Sequence, residues 1–290
     1  MNSYGQGEVG EEMGTGINCA IGLAAMRKRL CTANIYLLEH GCQPEDIGMG
    51  GGGGYSYDGA TSMPARIAII AALSREIAGL VGGATADAGL KRVGVHLYRV
   101  EGGVVVAAGM GAERAVVAVE AALAAGDVRR VVSVGLAGAC DSKLRVGDVV
   151  RAGVVVDGVS GERFESSGQG QVLVTAATVV VAAEKQRLFD LYGASAVDME
   201  AAAVGRLARV HGLEFGAIKS ISDEADFEMQ ELGRFATKDG QFREGAFAAY
   251  AAVRPRMWGK VMELAKNSKV AVEALTREVL VEMERYRARG

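Results

Sequence analysis

From residue 65 onward, short apolar runs alternate with longer stretches in which apolar positions recur every three or four residues. Runs such as RVVSVGL (130–136) and FGAIKSI (215–221) are apolar at nearly every position, the pattern of strands covered on both faces. The pattern predicts strands near 65–72, 94–100, 103–109, 130–136, 148–156, 171–179 and 215–221. It predicts helices near 74–82, 112–126, 180–190, 198–211, 241–252 and 256–286. Strand and helix in alternation imply an α/β fold of packed layers around a largely buried sheet. Ligands of such folds collect at the carboxyl ends of strands.

Upstream the pattern breaks. Six of the seven residues at 48–54 are glycine, which removes side-chain packing and frees the backbone, so this stretch reads as a linker. Residues 1–62 hold one amphipathic stretch, roughly 19–39, which is too little to bury a core unaided. They are expected to form a loosely packed extension, and residues 63–290 the functional domain.

Composition narrows the field. The net charge of −3 and pI near 5.8 disfavour nucleic acid as the main partner, and the basic stretch MRKRL (26–30) is too short to change that. No apolar run approaches the 18–20 or so residues of a membrane span. The positive charges after INCAIGLAAM (17–26) follow the apolar run, the reverse of a secretory signal, so a cytoplasmic protein is expected. Cys19, Cys31, Cys42 and Cys140 have no metal-binding spacing, and His40, His96 and His211 are far apart; no metal is expected. His211 before Gly212 reads as a helix end.

Four segments end a strand in a short polar or glycine-rich loop. IAIIAALSREIAGL (67–80) places Glu76 just after its strand. VVVAAGMGAERA (104–115) has glycines at 109 and 111 that would let a ligand approach the backbone beside a helix N-terminus. VVSVGLAGACDSKLRVGDVV (131–150) is small at 137–139. IKSISDEAD (218–226) ends an apolar strand with Asp223, Glu224 and Asp226. A fifth stretch, ASAVDMEAAAVGRLARVHG (194–212), opens a helix with Asp198 and Glu200. Carboxylates there ordinarily complement the helix dipole, and Met199 ordinarily belongs to a core.

Taken together over residues 65–226, these segments resemble the purine nucleoside phosphorylase/uridine phosphorylase superfamily, and most of all its 5′-methylthioadenosine/S-adenosylhomocysteine nucleosidases. The tail, with GRFATKDGQF and RPRMWGKVMELAKNS, resembles bacterial members classed as phosphorylases, including the hopanoid-associated type. The resemblance implies a three-layer α/β/α sandwich with a central mixed sheet, acting on the N-glycosidic bond of an adenine-type purine nucleoside. It implies that Asp223, beside Ser222, gives a proton to the departing base and that Glu76 activates the attacking water. It places Glu200 on the ribose hydroxyls and Met199 against the sugar. Val179, Val180, Gly111, Ala137 and Gly138 would complete the substrate site. No cofactor is implied, and relatives of this kind are commonly homo-oligomers.

Departures from the nucleosidase pattern bear on the substrate. Leu136 replaces a serine, Val179 and Val180 stand near the place of a stacking aromatic, and Lys219 replaces an arginine and would pair with Asp198. Phosphorylases of the superfamily carry an arginine in the loop after the first strand. Here the sequence is Ser74-Arg75-Glu76, whose carboxylate would repel phosphate and favours water as nucleophile. The alternative is phosphorolysis with inorganic phosphate as co-substrate, for which Arg114 is the candidate anion-binding residue. A nucleoside-binding module without turnover is the non-enzymatic alternative. A dinucleotide-binding oxidoreductase is disfavoured because position 114 breaks the glycine fingerprint.

Overall fold

In this computed structural model, residues 66–228, 235, 246, 250 and 253–289 are described. The expected N-terminal extension lies outside them, as does most of the helix expected at 241–252. In chain order the elements are β1 (Arg66–Ala71), α1 (Ser74–Val81), α2 (Ala88–Arg92), β2 (His96–Val100), β3 (Gly103–Ala107) and α3 (Ala112–Ala124). Then follow β4 (Val128–Ala139), β5 (Val149–Asp157), β6 (Arg163–Glu165), β7 (Gln171–Thr175) and α4 (Ala182–Tyr192). The last are β8 (Ala194–Asp198), α5 (Ala201–His211), β9 (Glu214–Asp223) and α6 (Pro255–Arg287).

The strands form one mixed sheet. β3, β1, β4 and β9 run parallel side by side, with β2 antiparallel at the β3 edge. β9 then pairs antiparallel with β5, β5 pairs parallel with β7, and β7 parallel with β8. β8 returns to pair with the end of β4, Gly138 opposite Val197. Thus β4, β9, β5, β7 and β8 close a ring, which the apolar pattern alone does not reveal.

Side chains alternate between the two faces of β1. Ala68 and Ile70 join Ala115, Ala118, Val119 and Ala122 of α3 and the Ala201–Ala208 face of α5. Ile67 and Ile69 join Ile77 and Leu80 of α1 and Leu275, Val279 and Met283 of α6. Helices on both faces give the three layers. Gly79 lets α1 lie close on α6, since a Cβ there would stand 2.7 Å from the Thr276 methyl. His211 does end α5, with Gly212 in the left-handed conformation at its cap.

Three short elements depart from the predicted ones. β8 occupies 194–198, so Asp198 closes a strand and α5 begins at Ala201, three residues later than expected. β6 is three residues long and α2 five, both below the length at which periodicity can be read. α2 is held by its Asp87 cap, which accepts from the Gly89 and Leu90 N–H groups at 3.0 Å.

Candidate active site

Each proposed acid is placed by the end of a strand. Glu76 lies in the first turn of α1, just after β1, and is 4% exposed. One carboxylate oxygen accepts the Leu73 N–H at 2.9 Å and the other the Leu136 N–H at 3.3 Å. The bend at Gly135 (φ +141°) lets β4 pass, because a Cβ there would stand 3.3 Å from the carboxylate. Burial pushes the Glu76 carboxyl above its ordinary range, against the pull of those N–H donors and of Lys219.

Glu200 follows β8 and is buried, facing the residue that caps the start of α3. Its Oε1 accepts the Gly111 N–H at 2.7 Å. The glycine loop before α3 therefore spends that N–H on Glu200 and does not hold it for an anion. Gly111 adopts φ +87°, which glycine reaches without strain. Burial, opposed by Lys219 and reinforced by Asp198, pushes the Glu200 carboxyl up to about 7.

Asp198 organises the ground between these groups. Its Oδ1 accepts the Thr175 hydroxyl at 2.7 Å, and its Oδ2 accepts the Ala201 N–H at 2.9 Å, capping α5 from the strand end. The expected partner is present: Lys219 Nζ lies 2.8 Å from Oδ2, both side chains being buried. Burial works against the Lys219 charge, but Asp198 and Glu200 outweigh it and hold its pKa above the ordinary value.

Asp223 ends β9 and keeps a partly exposed side chain. The Ser222 hydroxyl donates to its Oδ1 at 2.8 Å, and Lys185 Nζ lies 2.5 Å from its Oδ2. Lys185 also donates to the Glu224 carbonyl at 2.7 Å. Gly138 makes room for the pair, since a Cβ there would stand 2.8 Å from Asp223 Oδ2.

Glu76, Glu200 and Asp223 all line one cavity of about 630 Å³. Met199, Ser222, Ala137, Gly138, Val179 and Val180 line it too. Gly111 and Arg114 line a second cavity of about 480 Å³, which shares Met110, Thr178, Val179 and Met199 with the first. Two nitrogens of the Arg114 guanidinium donate to backbone carbonyls, those of Ala108 and Gly94.

Two contributors escape the sequence reading. Lys185 sits among Glu184, Gln186 and Arg187, which reads as a solvated helix face; yet it falls one turn before Leu188, and these two are the buried residues of α4. A charge at helical spacing on an apolar face was the available signal. The other is α6, whose Val261, Leu264, Ala265 and Val272 form an apolar wall of the cavity, with Ser268, Lys269 and Glu273 among them. That helix packs on its own domain, as expected, but it also shapes the site.

The fold has solved counterparts. The nucleosidase of 5′-methylthioadenosine and S-adenosylhomocysteine from Neisseria meningitidis, in complex with methylthio-immucillin-A, superposes with a TM-score of 0.56 at 19% identity, over 77% of this chain and 98% of that one. The Helicobacter pylori nucleosidase of the same name gives 0.55 at 18% identity, over 76% and 97%. Futalosine hydrolase of Helicobacter pylori gives 0.55 at 16%, over 78% and 97%. Among curated proteins no sequence match was found. The sequence profile of the phosphorylase superfamily matches residues 66–180 and 154–253, and with the sheet and cavity just described it shows that this chain belongs to the phosphorylase superfamily.

Proposed function

We propose that the chain hydrolyses the N-glycosidic bond of an adenine-type purine nucleoside, with Asp223 assisting departure of the base. One observation carries this reading: Glu76, Glu200 and Asp223, far apart in sequence, meet around a single cavity at strand ends. Breaking a ribose–purine bond poses two problems, since the base must not leave as an anion and the sugar becomes oxocarbenium-like. A proton delivered from the Asp223 end meets the first. A buried carboxylate at Glu200 meets the second, stabilising positive charge on the ring more as it develops than in the bound substrate. Glu76, held by two N–H donors, is poised to orient water on the sugar's other side, the logic of an inverting glycosidase. The adenine preference rests on the likeness to methylthioadenosine nucleosidases. Self-association and a cytoplasmic location belong to the same reading; among the described residues no helix is long and apolar enough to cross a membrane.

Water is favoured over phosphate by the charges at hand. Glu76 would repel an anion, Arg114 donates to carbonyls, and Lys185 and Lys219 each face a carboxylate. Arg75 and Lys269 also line the cavity as cations, with Glu76, Glu200 and Glu273 beside them in the same wall. The test is release of free base from 5′-methylthioadenosine and adenosine, with and without inorganic phosphate. Release in phosphate-free buffer is expected, and D223N should lower kcat by roughly 10²–10⁴-fold. Release that requires phosphate would replace hydrolysis by phosphorolysis, and no release under either condition would leave a binding module.

A further inference from the structure

We propose that Lys185 supplies the proton that leaves with the base and that Asp223 passes it on, an inference that rests on the hydrolytic reading of the same cavity. A lysine side chain 2% exposed is costly to bury, and a position one turn from Leu188 would pack at least as well with an apolar residue. What holds it there is specific: Asp223 Oδ2 at 2.5 Å and the Glu224 carbonyl at 2.7 Å. The Ser222 hydroxyl occupies the other Asp223 oxygen at 2.8 Å, and Gly138 leaves space where a Cβ would stand 3.0 Å from Lys185 Cε. The Ser222 hydroxyl also has the Ala137 carbonyl at 3.3 Å, but the shorter contact is to Asp223, so donors face both carboxyl oxygens and the group is held as an acceptor. The donor that faces it most closely, the Lys185 amine group, is then the source of the proton that the departing base takes up.

The step balances. The bond from C1′ to the base nitrogen breaks and its electron pair stays with the base. A proton moves from Lys185 Nζ to Asp223 and from Asp223 to the base, leaving an amine beside a carboxylate. Water oxygen bonds to C1′ and gives a proton to Glu76. Glu76 releases that proton to solvent, and solvent returns one to Lys185. Lys185 thus acts through Asp223, as a positioning residue that also stores the proton.

The test compares two leaving groups in the full chain. Adenine in 5′-methylthioadenosine needs a proton to depart, whereas the phenolate of 4-nitrophenyl β-D-ribofuranoside does not. K185M is expected to lower kcat on the first by about 10²–10³-fold, the scale of general acid catalysis, while changing the second by less than about tenfold. K185R keeps a charge opposite Asp223 but does not give up its proton, so it should stay as impaired as K185M on the nucleoside. K185A should regain nucleoside cleavage with added small primary amines. Equal losses on both substrates, or full restoration by K185R, would overturn the proposal and leave Lys185 a structural prop. Undiminished nucleoside cleavage by K185M would overturn it as well. A wild-type protein inert toward both substrates would instead remove the hydrolytic reading beneath it.

Discussion

At the scale of the residue, Glu200 is held at a cost to the fold. Its carboxyl titrates at about 7 in the folded protein against 4.5 in an open chain, chiefly because of burial. Between those values the folded state keeps a proton that the unfolded chain releases, so stability falls as pH rises from 4.5 to 7 and the full cost is present above that window. E200Q should therefore melt higher than the wild type at pH 8, by roughly 3–8 °C, and at nearly the same temperature at pH 4. Calorimetry at the two pH values checks this, since equal shifts at both would mean that charge is not the cause. The same variant should lose at least about tenfold in kcat/KM, because a neutral amide stabilises a cationic sugar poorly. A substitution that stabilises the fold while damaging activity is the mark of a group kept for chemistry.

At the scale of the element, the junction of β8, α5 and β9 depends on one buried ion pair. Removing a single partner from Asp198–Lys219 leaves a buried charge without its direct ion-pair partner, which costs up to about 3–5 kcal/mol. D198A and K219M should each show such a loss in urea denaturation, with the double variant less destabilised than the sum by about 2–3 kcal/mol. Strict additivity would show that the pair contributes nothing as a pair. This junction also shows what the sequence makes legible. Long apolar runs such as β4 and β9 are readable because full burial leaves no polar positions, and their ends locate Asp223 and the small residues at 137–139. β8 was not readable as a strand, because ASAVD is short and runs at once into carboxylates that mimic a helix start. Lys185 was hidden for a related reason. Composition gives three charged or polar neighbours around it, and only the fold turns that one position toward Asp223. The pairing of Lys219 with Asp198 could be anticipated, since both residues lie within motifs already singled out.

At the scale of the whole molecule, α6 joins distant parts of the structure. Glu282, 9% exposed, accepts Arg130 Nη2 at 2.7 Å and Arg151 Nη1 at 2.8 Å, and Glu278 takes the rest of the Arg151 fork. Arg130 also reaches Glu214 and the Ser167 hydroxyl, so strands β4, β5 and β9 are fastened to one helix. E282A removes an acceptor shared by two guanidinium groups, which keep Glu214 and Glu278, and should cost about 1–3 kcal/mol by denaturant titration. E282Q, which retains a hydrogen-bond acceptor, should be milder in stability yet raise KM several-fold with little change in kcat. A drop in kcat alone would separate α6 from substrate binding. At 1.5 Å per residue the 33 residues of α6 run about 50 Å, and the fastened turn begins about 8 Å along the axis from Glu273, the nearest residue that walls the cavity. Between the two, Leu275 in the core and Thr276 against Gly79 hold the helix to the body, so charge cluster and core together set where the cavity wall lies. On the proposed reading, what the cavity admits beside base and sugar is thus governed in part by charges that never meet the ligand.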